Sequence, residues 1–159
     1  MSDSKETKLS VEAKIVFEGL KKAFADATHV IYLAGSLKFD DKEELWKGNY
    51  ELTKKVVEAA HLKDILVEGE IDHLPGVSEV HDEDLDLEII KKSYTKPEKA
   101  SEFVKEAGVD IFAAVFGNVH GTFPNQPDLD FELLEKIRKA LPDTFISLHG
   151  GSGIPAVQI

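Results

Sequence analysis

The chain has 159 residues, enough for one ordinary domain with a real core but well short of the ~250 of a complete (β/α)₈ barrel. Nineteen Lys and Arg against thirty Asp and Glu give a net charge of −11, which argues against nucleic acid or an anionic membrane as partner. With no cysteine, disulfides and thiolate metal sites are excluded, so any zinc would have to sit on His, Asp or Glu.

Residues 1–10, "MSDSKETKLS", form a polar tail without the apolar centre of a signal peptide, and no later run approaches a membrane span. A cytoplasmic protein is expected, with residues 11–159 as a single domain. In "SVEAKIVFEGLKKAFADA", Val11, Ile15, Val16, Leu20 and Phe24 are spaced for one helix face, and Ser10 is a reasonable N-cap. "HVIYLAGS" then reads as a short buried strand. Residues 41–61 read as a second helix with a break near Gly48, and "DILVEGE" as a second strand.

The stretch "IDHLPGVSEVHDEDLDLE", punctuated by Pro75 and Gly76, is expected to be an acidic loop. Thr95 and Glu98 in "TKPEKASEFVKEAG" have capping-box spacing, and Gly108 is a natural C-cap. "VDIFAAVF" is a nearly continuous apolar run, as expected of a strand covered on both faces. After the loop "GNVHGTFPNQPDL", Asp130 can cap the helix "FELLEKIRKAL"; "TFISLH" gives a fourth strand and "GGSG" its exit turn. Helices alternating with strands in this way imply a parallel α/β sheet.

In such a sheet the carboxyl ends of the strands share one rim, and ligands bind there. That rule brings Ser36, Glu70, His120 and His149 to one face although they are far apart in sequence. His120 and His149 belong to consecutive units and should lie on neighbouring strands, a plausible pair of imidazoles for a divalent d¹⁰ ion with a carboxylate such as Glu70. Taken alone, either histidine is more often a loop residue hydrogen-bonded to backbone. Glu68 and Glu70 point to the same side unless Gly69 bulges the strand. "GGSG" offers successive backbone N–H groups and the Ser152 hydroxyl, which suits phosphate, although glycine clusters also mark tight turns. His29, His61, His73 and His81 have no comparable placement and read as surface or helix-end residues, and the run "DEDLDLE" as an acidic surface.

Together the segments "VEGEI", "YTKPEKASEFVKEAGVDIFAAVFGNVHG" and "LDFELLEKIRKALPDTFISLHGGSGIP", supported by "LTKKVVEAAH" and "GVSEVHDE", resemble the class II, zinc-dependent fructose-bisphosphate aldolases from about Leu20 to Pro155. The resemblance implies that His120 and His149 are two of three zinc-binding histidines and that Glu70 is an acid near an alternative metal position. It implies that Gly121, Gly150, Gly151, Ser152 and Gly153 bind the dihydroxyacetone-phosphate end of the substrate and a monovalent cation. Glu79 falls in the loop that supplies a proton-transfer acid. The implied chemistry is zinc-assisted cleavage of fructose 1,6-bisphosphate to dihydroxyacetone phosphate and glyceraldehyde 3-phosphate, zinc polarising the ketone and stabilising the enediolate.

The departures matter equally. The family's "His-x-Asp-His" segment, with the third zinc ligand and the catalytic aspartate, is absent from these 159 residues. The family's strand after "HGGSG" is missing as well, Ala34 stands where an Asp is expected and Asp72 where a Gly is expected, and an insertion falls around "KEELWKG". The expectation is therefore a partial, half TIM barrel of four parallel strands, matching the family's fourth to seventh. Zinc would be weakly held, and turnover by the chain alone weak or nil. An open half barrel should self-associate or pair with a complementing fragment. The alternatives are a non-catalytic half-barrel module for binding or oligomerisation and a different metal-dependent enzyme recruiting Glu70 or Glu79.

Overall fold

The computed structural model describes residues 18–22, 30–31 and 42–159, with 30–31 and 42–49 as backbone only. The tail, the ends of the first helix, His29 and the exit of the first strand with Ala34 and Ser36 lie outside the described residues. Residues 18–22 are helical, and Leu20 packs on the edge of the core.

Four strands form one parallel sheet: β1 (Val30–Ile31), β2 (Val67–Gly69), β4 (Ile111–Ala113) and β6 (Phe145–Ser147), in that spatial order. Its registers are Ile31↔Glu68, Glu68↔Ile111 and Ile111↔Phe145. The strand order follows the chain, and each parallel neighbour is reached by a crossover that includes a helix, as parallel pairing requires.

The crossovers are α1 (Lys42–His61), α3 (Pro97–Ala107) and α4 (Phe131–Ala140). Thr53, Val56, Val57 and Ala60 make the buried face of α1 at i, i+3, i+4, i+7 spacing. That face outweighs the cost of about 1 kcal/mol for Gly48 inside a helix, so α1 runs unbroken through the expected kink. Ala100, Phe103 and Ala107 of α3 and Ile137 of α4 complete the layer. They meet Val67, Phe112 and Ala114 from one face of the sheet in a single core, where the rings of Phe103 and Phe112 sit tilted at 6.2 Å.

Asp130 caps α4 by accepting from Leu133 N–H at 2.8 Å, and Gly108 closes α3 with φ 78°, both as the sequence indicates. The N-terminus of α3 differs from expectation. Its N-cap is Lys96, with no side-chain cap bond, because the Thr95 hydroxyl is used elsewhere: it donates to Asp72 Oδ2 at 2.6 Å and accepts from Val115 N–H at 2.9 Å. Pro97 at the first turn, which lacks an N–H to satisfy, makes the missing cap inexpensive.

The acidic stretch is not simply loop. It contains β3 (Gly76–Val80), which pairs in parallel with β5 (His120–Thr122) as a separate two-stranded ribbon, and a short helix α2 (Leu87–Lys92). Asp86, taken from the sequence as acidic surface, caps α2 by accepting from Glu88 N–H and Ile89 N–H. Every residue of β3 is exposed, so no hydrophobic alternation announces it. Tertiary contacts hold the ribbon instead. His81, expected at the surface, stacks on Phe123 at 4.0 Å, and the Asn125 side chain exchanges two hydrogen bonds with the Leu85 backbone. Among the described residues no helix is long and apolar enough to cross a membrane.

Candidate functional site at the strand carboxyl ends

Side chains alternate along a strand, so the register decides which face each residue joins. Val67, Phe112 and Ile146 face the helices. Glu68, Ile111 and Phe145 are aligned across the sheet on the opposite face, and Glu70 and His149 continue that alternation past the ends of β2 and β6. Gly69 does not bulge the strand out of this pattern. The two glutamates therefore meet the imidazole: His149 Nε2 donates to Glu68 Oε1 at 2.6 Å, and His149 Nδ1 lies 3.7 Å from Glu70 Oε2. All three are half-buried. Burial pushes the Glu70 carboxyl above its ordinary 4.5; His149 pulls it down, while Asp72 and Glu68 add to the rise.

Behind His149 the chain turns back on itself. Gly150 adopts φ 64°, and a Cβ there would strike the carbonyl of Val119. The turn Gly151–Gly153 is a single 3₁₀ turn, with the Ser152 side chain exposed. Gly153 lies so close to Gly121 that a Cβ on it would come within 2.8 Å of the Gly121 carbonyl. Gly121 itself has φ 90° and is hemmed in by the carbonyls of Val77 and Glu79. Glycine is thus required where the exit of β6, the start of β5 and β3 converge.

His120 opens β5, half-buried, its N–H donating to the Pro75 carbonyl at 2.7 Å; among the described residues its ring makes no hydrogen bond or ion pair. The segments carrying His120 and His149 touch, through Val119 against Gly150 and through Asn118 against His149. Glu79 is different: it lies on the exposed ribbon strand β3, and its backbone carbonyl approaches Gly121. His61 sits at the other rim, bonded to Asp110 Oδ2 at 2.9 Å, where that carboxylate also accepts from Val67 N–H.

Four residues here have roles that the sequence did not predict. Glu68, in the sequence only a neighbour of Glu70, makes the shorter contact to His149. Asn118, wholly buried, accepts from Phe116 N–H at 2.8 Å and donates to the carbonyls of Ala114 and His149, each at 3.1 Å. Thr95 and Asp72 tie the end of β2 to the end of β4; Asp72 is raised above its ordinary value by burial, against the pull of the Thr95 hydroxyl. The alternation of "VEGEI" signals Glu68, whereas no local pattern signals a bond spanning 31 residues such as that from Asn118 to His149.

The donors present are imidazole nitrogen and carboxylate oxygen, the chemistry that zinc accepts. Two ligands of one tetrahedral zinc, each bonded at ~2.1 Å, are about 3.4 Å apart, close to the 3.7 Å between His149 Nδ1 and Glu70 Oε2. With Nε2 held by Glu68, Nδ1 is the nitrogen left to bind, the arrangement by which carboxylates orient metal-binding histidines. Among the described residues no three His, Asp or Glu side chains converge as a metal cage. The donor set fits a metal in kind and supplies part of a coordination sphere.

A parallel α/β sheet with an imidazole–carboxylate cluster and a glycine turn at its carboxyl ends defines an α/β protein whose candidate ligand site lies at the strand carboxyl rim. Comparison with known proteins sharpens this. Residues 12–159 match the family model described as fructose-bisphosphate aldolase class-II. Over 125 residues, 78% of this chain and 40% of the relative, it is 42% identical to the fructose-bisphosphate aldolase of Streptococcus pneumoniae serotype 4 (strain TIGR4). Its fold is similar to the crystal structure of the YdjI aldolase from Escherichia coli K12, with TM-score 0.62 and 28% identity over 87% of this chain and 42% of that one. It is also similar to a putative fructose-1,6-biphosphate aldolase from Coccidioides immitis, with TM-score 0.57 and 30% identity over 85% and 45%. The chain belongs to the class II fructose-bisphosphate aldolase family. It spans about 40% of the length of the curated relatives it matches.

Proposed function

We propose that this stretch of chain carries one side of a class II aldolase active site, acting on fructose 1,6-bisphosphate to interconvert it with dihydroxyacetone phosphate and glyceraldehyde 3-phosphate. The observation that supports the reading most is the His149 imidazole held between Glu68 and Glu70 directly ahead of a glycine turn seated on Gly121. In this reading His120 and His149 hold zinc, with Glu70 as the acid beside them. Gly121 and Gly150–Gly153, with the Ser152 hydroxyl, receive the substrate phosphate and a monovalent cation. Glu79, on the ribbon, is the candidate for handling the proton of the aldehyde-derived hydroxyl. A zinc ion bound there supplies Lewis-acid stabilisation for the negative charge that develops at the ketone oxygen.

The chain's own residues do the rest. Glu68 fixes the ring of His149. Glu70, pushed towards neutrality by burial, can hold a proton closer to physiological pH than a free carboxylate. The backbone of the glycine turn offers N–H groups to a phosphate that a chain of net charge −11 would otherwise repel.

We read the four-stranded sheet as half of a (β/α)₈ barrel. Its edge strand β6 exposes Phe145 to 69%, beside an apolar groove lined by Phe131, Leu134 and Leu148. An edge of this kind is completed by a complementing half, whether a second copy or a matching barrel fragment. Alone, without a His-x-Asp-His segment, the chain is expected to bind zinc but to turn over poorly, since a missing acid–base group costs about 10²–10⁴-fold. The test is zinc analysis together with a coupled cleavage assay. One zinc per chain, lost in His149→Ala and in His120→Ala, supports the reading. A chain that binds no zinc, or whose zinc survives both substitutions, refutes it.

A further inference from the structure

We infer that Asn118 is a positioning residue for His149, setting the direction in which its imidazole faces the site. The inference rests on the reading of His149 as the group that works at the strand ends, and it deepens that reading. Asn118 is 0% exposed, and its amide orientation is dictated by its partners. Phe116 N–H can only donate, so it takes Oδ1; the carbonyls of Ala114 and His149 can only accept, so both take Nδ2. Both amide hydrogens are thereby committed.

Two of these bonds are local, two and four residues away, and a turn-forming asparagine makes such bonds routinely. The third is not local. It crosses to the segment that follows β6 and lands on the main-chain carbonyl of the residue whose ring bonds Glu68 and lies beside Glu70. The β4–β6 ladder has its last register at Ala113↔Ser147, and the left-handed turn begins at Gly150. Between these points the 149–150 peptide lies beyond the ladder, and the Asn118 amide holds it. The ring is then fixed at two places: its backbone by Asn118 and its Nε2 by Glu68. Removing the Asn118 donors frees the peptide to rotate, and the imidazole loses its aim even though sheet and helices remain.

The experiment compares the full chain with Asn118→Leu, which keeps the branched outline of the side chain, though with bulkier methyl ends, and loses every bond, and Asn118→Asp, which keeps the acceptor for Phe116 N–H and loses both donors. NMR on metal-free protein reads the His149 Nε2 proton, expected to be protected from exchange in the parent and exposed in both variants. Amide protection in α3 and α4 should be unchanged. Zinc titration of the same samples should show a drop of about 10–100-fold in affinity, the usual effect of losing a residue that orients a ligand.

A variant that keeps the protected proton, an Asp variant indistinguishable from the parent, or a parent without the protected proton overturns the inference. So does loss of α3–α4 protection in both variants, which assigns Asn118 to the core as a whole. A parent that shows the protected proton, lost in both variants, yet binds no zinc, leaves the positioning role standing and refutes the metal reading instead.

Discussion

Thr95 offers the sharpest test of how the strand ends are tied together. Its side chain is 1% exposed and serves two groups: the hydroxyl accepts from Val115 N–H at 2.9 Å and donates to Asp72 Oδ2 at 2.6 Å. In Thr95→Val the shape is kept and the hydroxyl removed. The buried Val115 N–H is then left without a partner, at a cost of about 1–3 kcal/mol. Asp72 also loses a bond to a charged acceptor, itself about 1.5–3 kcal/mol, but this group is only partly buried and regains part of that from water. The added methyl returns about 0.8 kcal/mol. The net loss should be about 2 kcal/mol, which lowers the melting temperature of a domain this size by about 4–8 °C. Urea unfolding measures it, with Thr122→Val on the exposed side of β5 as a control expected within about 0.5 kcal/mol of the parent. If Thr95→Val behaves like the control, the hydroxyl bridges nothing, and the account of how β2 and β4 are joined is wrong.

Asp72 should give an inverted pH dependence. Its folded carboxyl is raised above the ordinary 3.8 by burial, so the native state holds its proton more tightly than the unfolded chain. Stability of the parent relative to Asp72→Asn should therefore rise as pH falls through the raised value towards 3.8, and level off below; a difference that shrinks on acidification contradicts the burial argument. Gly150→Ala and Gly108→Ala form a contrast. Both positions have positive φ, 64° and 78°, and each pays about 1–2 kcal/mol for a Cβ in the left-handed region. At Gly108 the new methyl meets only Val57 at 3.5 Å, whereas at Gly150 it strikes the Val119 carbonyl. Gly150→Ala should thus be the more destabilising in urea unfolding, and equal effects would mean that the glycine turn is not seated against the β4 exit.

Much of this architecture is legible in the sequence because it follows from periodicity. Helix faces, the Asp130 cap and the Gly108 stop are local, and the four strands announced by apolar runs fall where expected. The alternation of Glu68 and Glu70 in "VEGEI", combined with the parallel register, also accounts for their meeting with His149: once β2, β4 and β6 are in order, parity alone places the three side chains on the face away from the helices. The ribbon was not legible. β3 is exposed at all five positions, and β5 is three residues long, so neither buries enough to impose a pattern on its composition. Their pairing is a consequence of the fold around them.

Thr95 and Asn118 show why local rules mislead at such a place. Thr95, three residues before Glu98, satisfies the spacing of a capping box, and Asn118, flanked by Gly117 and Val119, looks like an ordinary turn residue. Each has a side chain that can satisfy its neighbours, and in each the decisive partner lies past the end of a strand distant in sequence: Asp72 beyond β2 for one, His149 beyond β6 for the other. A short polar side chain in a sealed position is costly unless it is fully bonded. Here the available partners are the backbone groups left over where the ladders end, at the carboxyl rim. The same leftover groups that make that rim a place for ligands make it the place where short polar residues form long-range bonds, in place of a local cap at Thr95 and in addition to a local turn at Asn118. The failure of the capping-box reading at Thr95 and the burial of Asn118 therefore have one origin, the backbone left outside the ladder past the ends of β4 and β6.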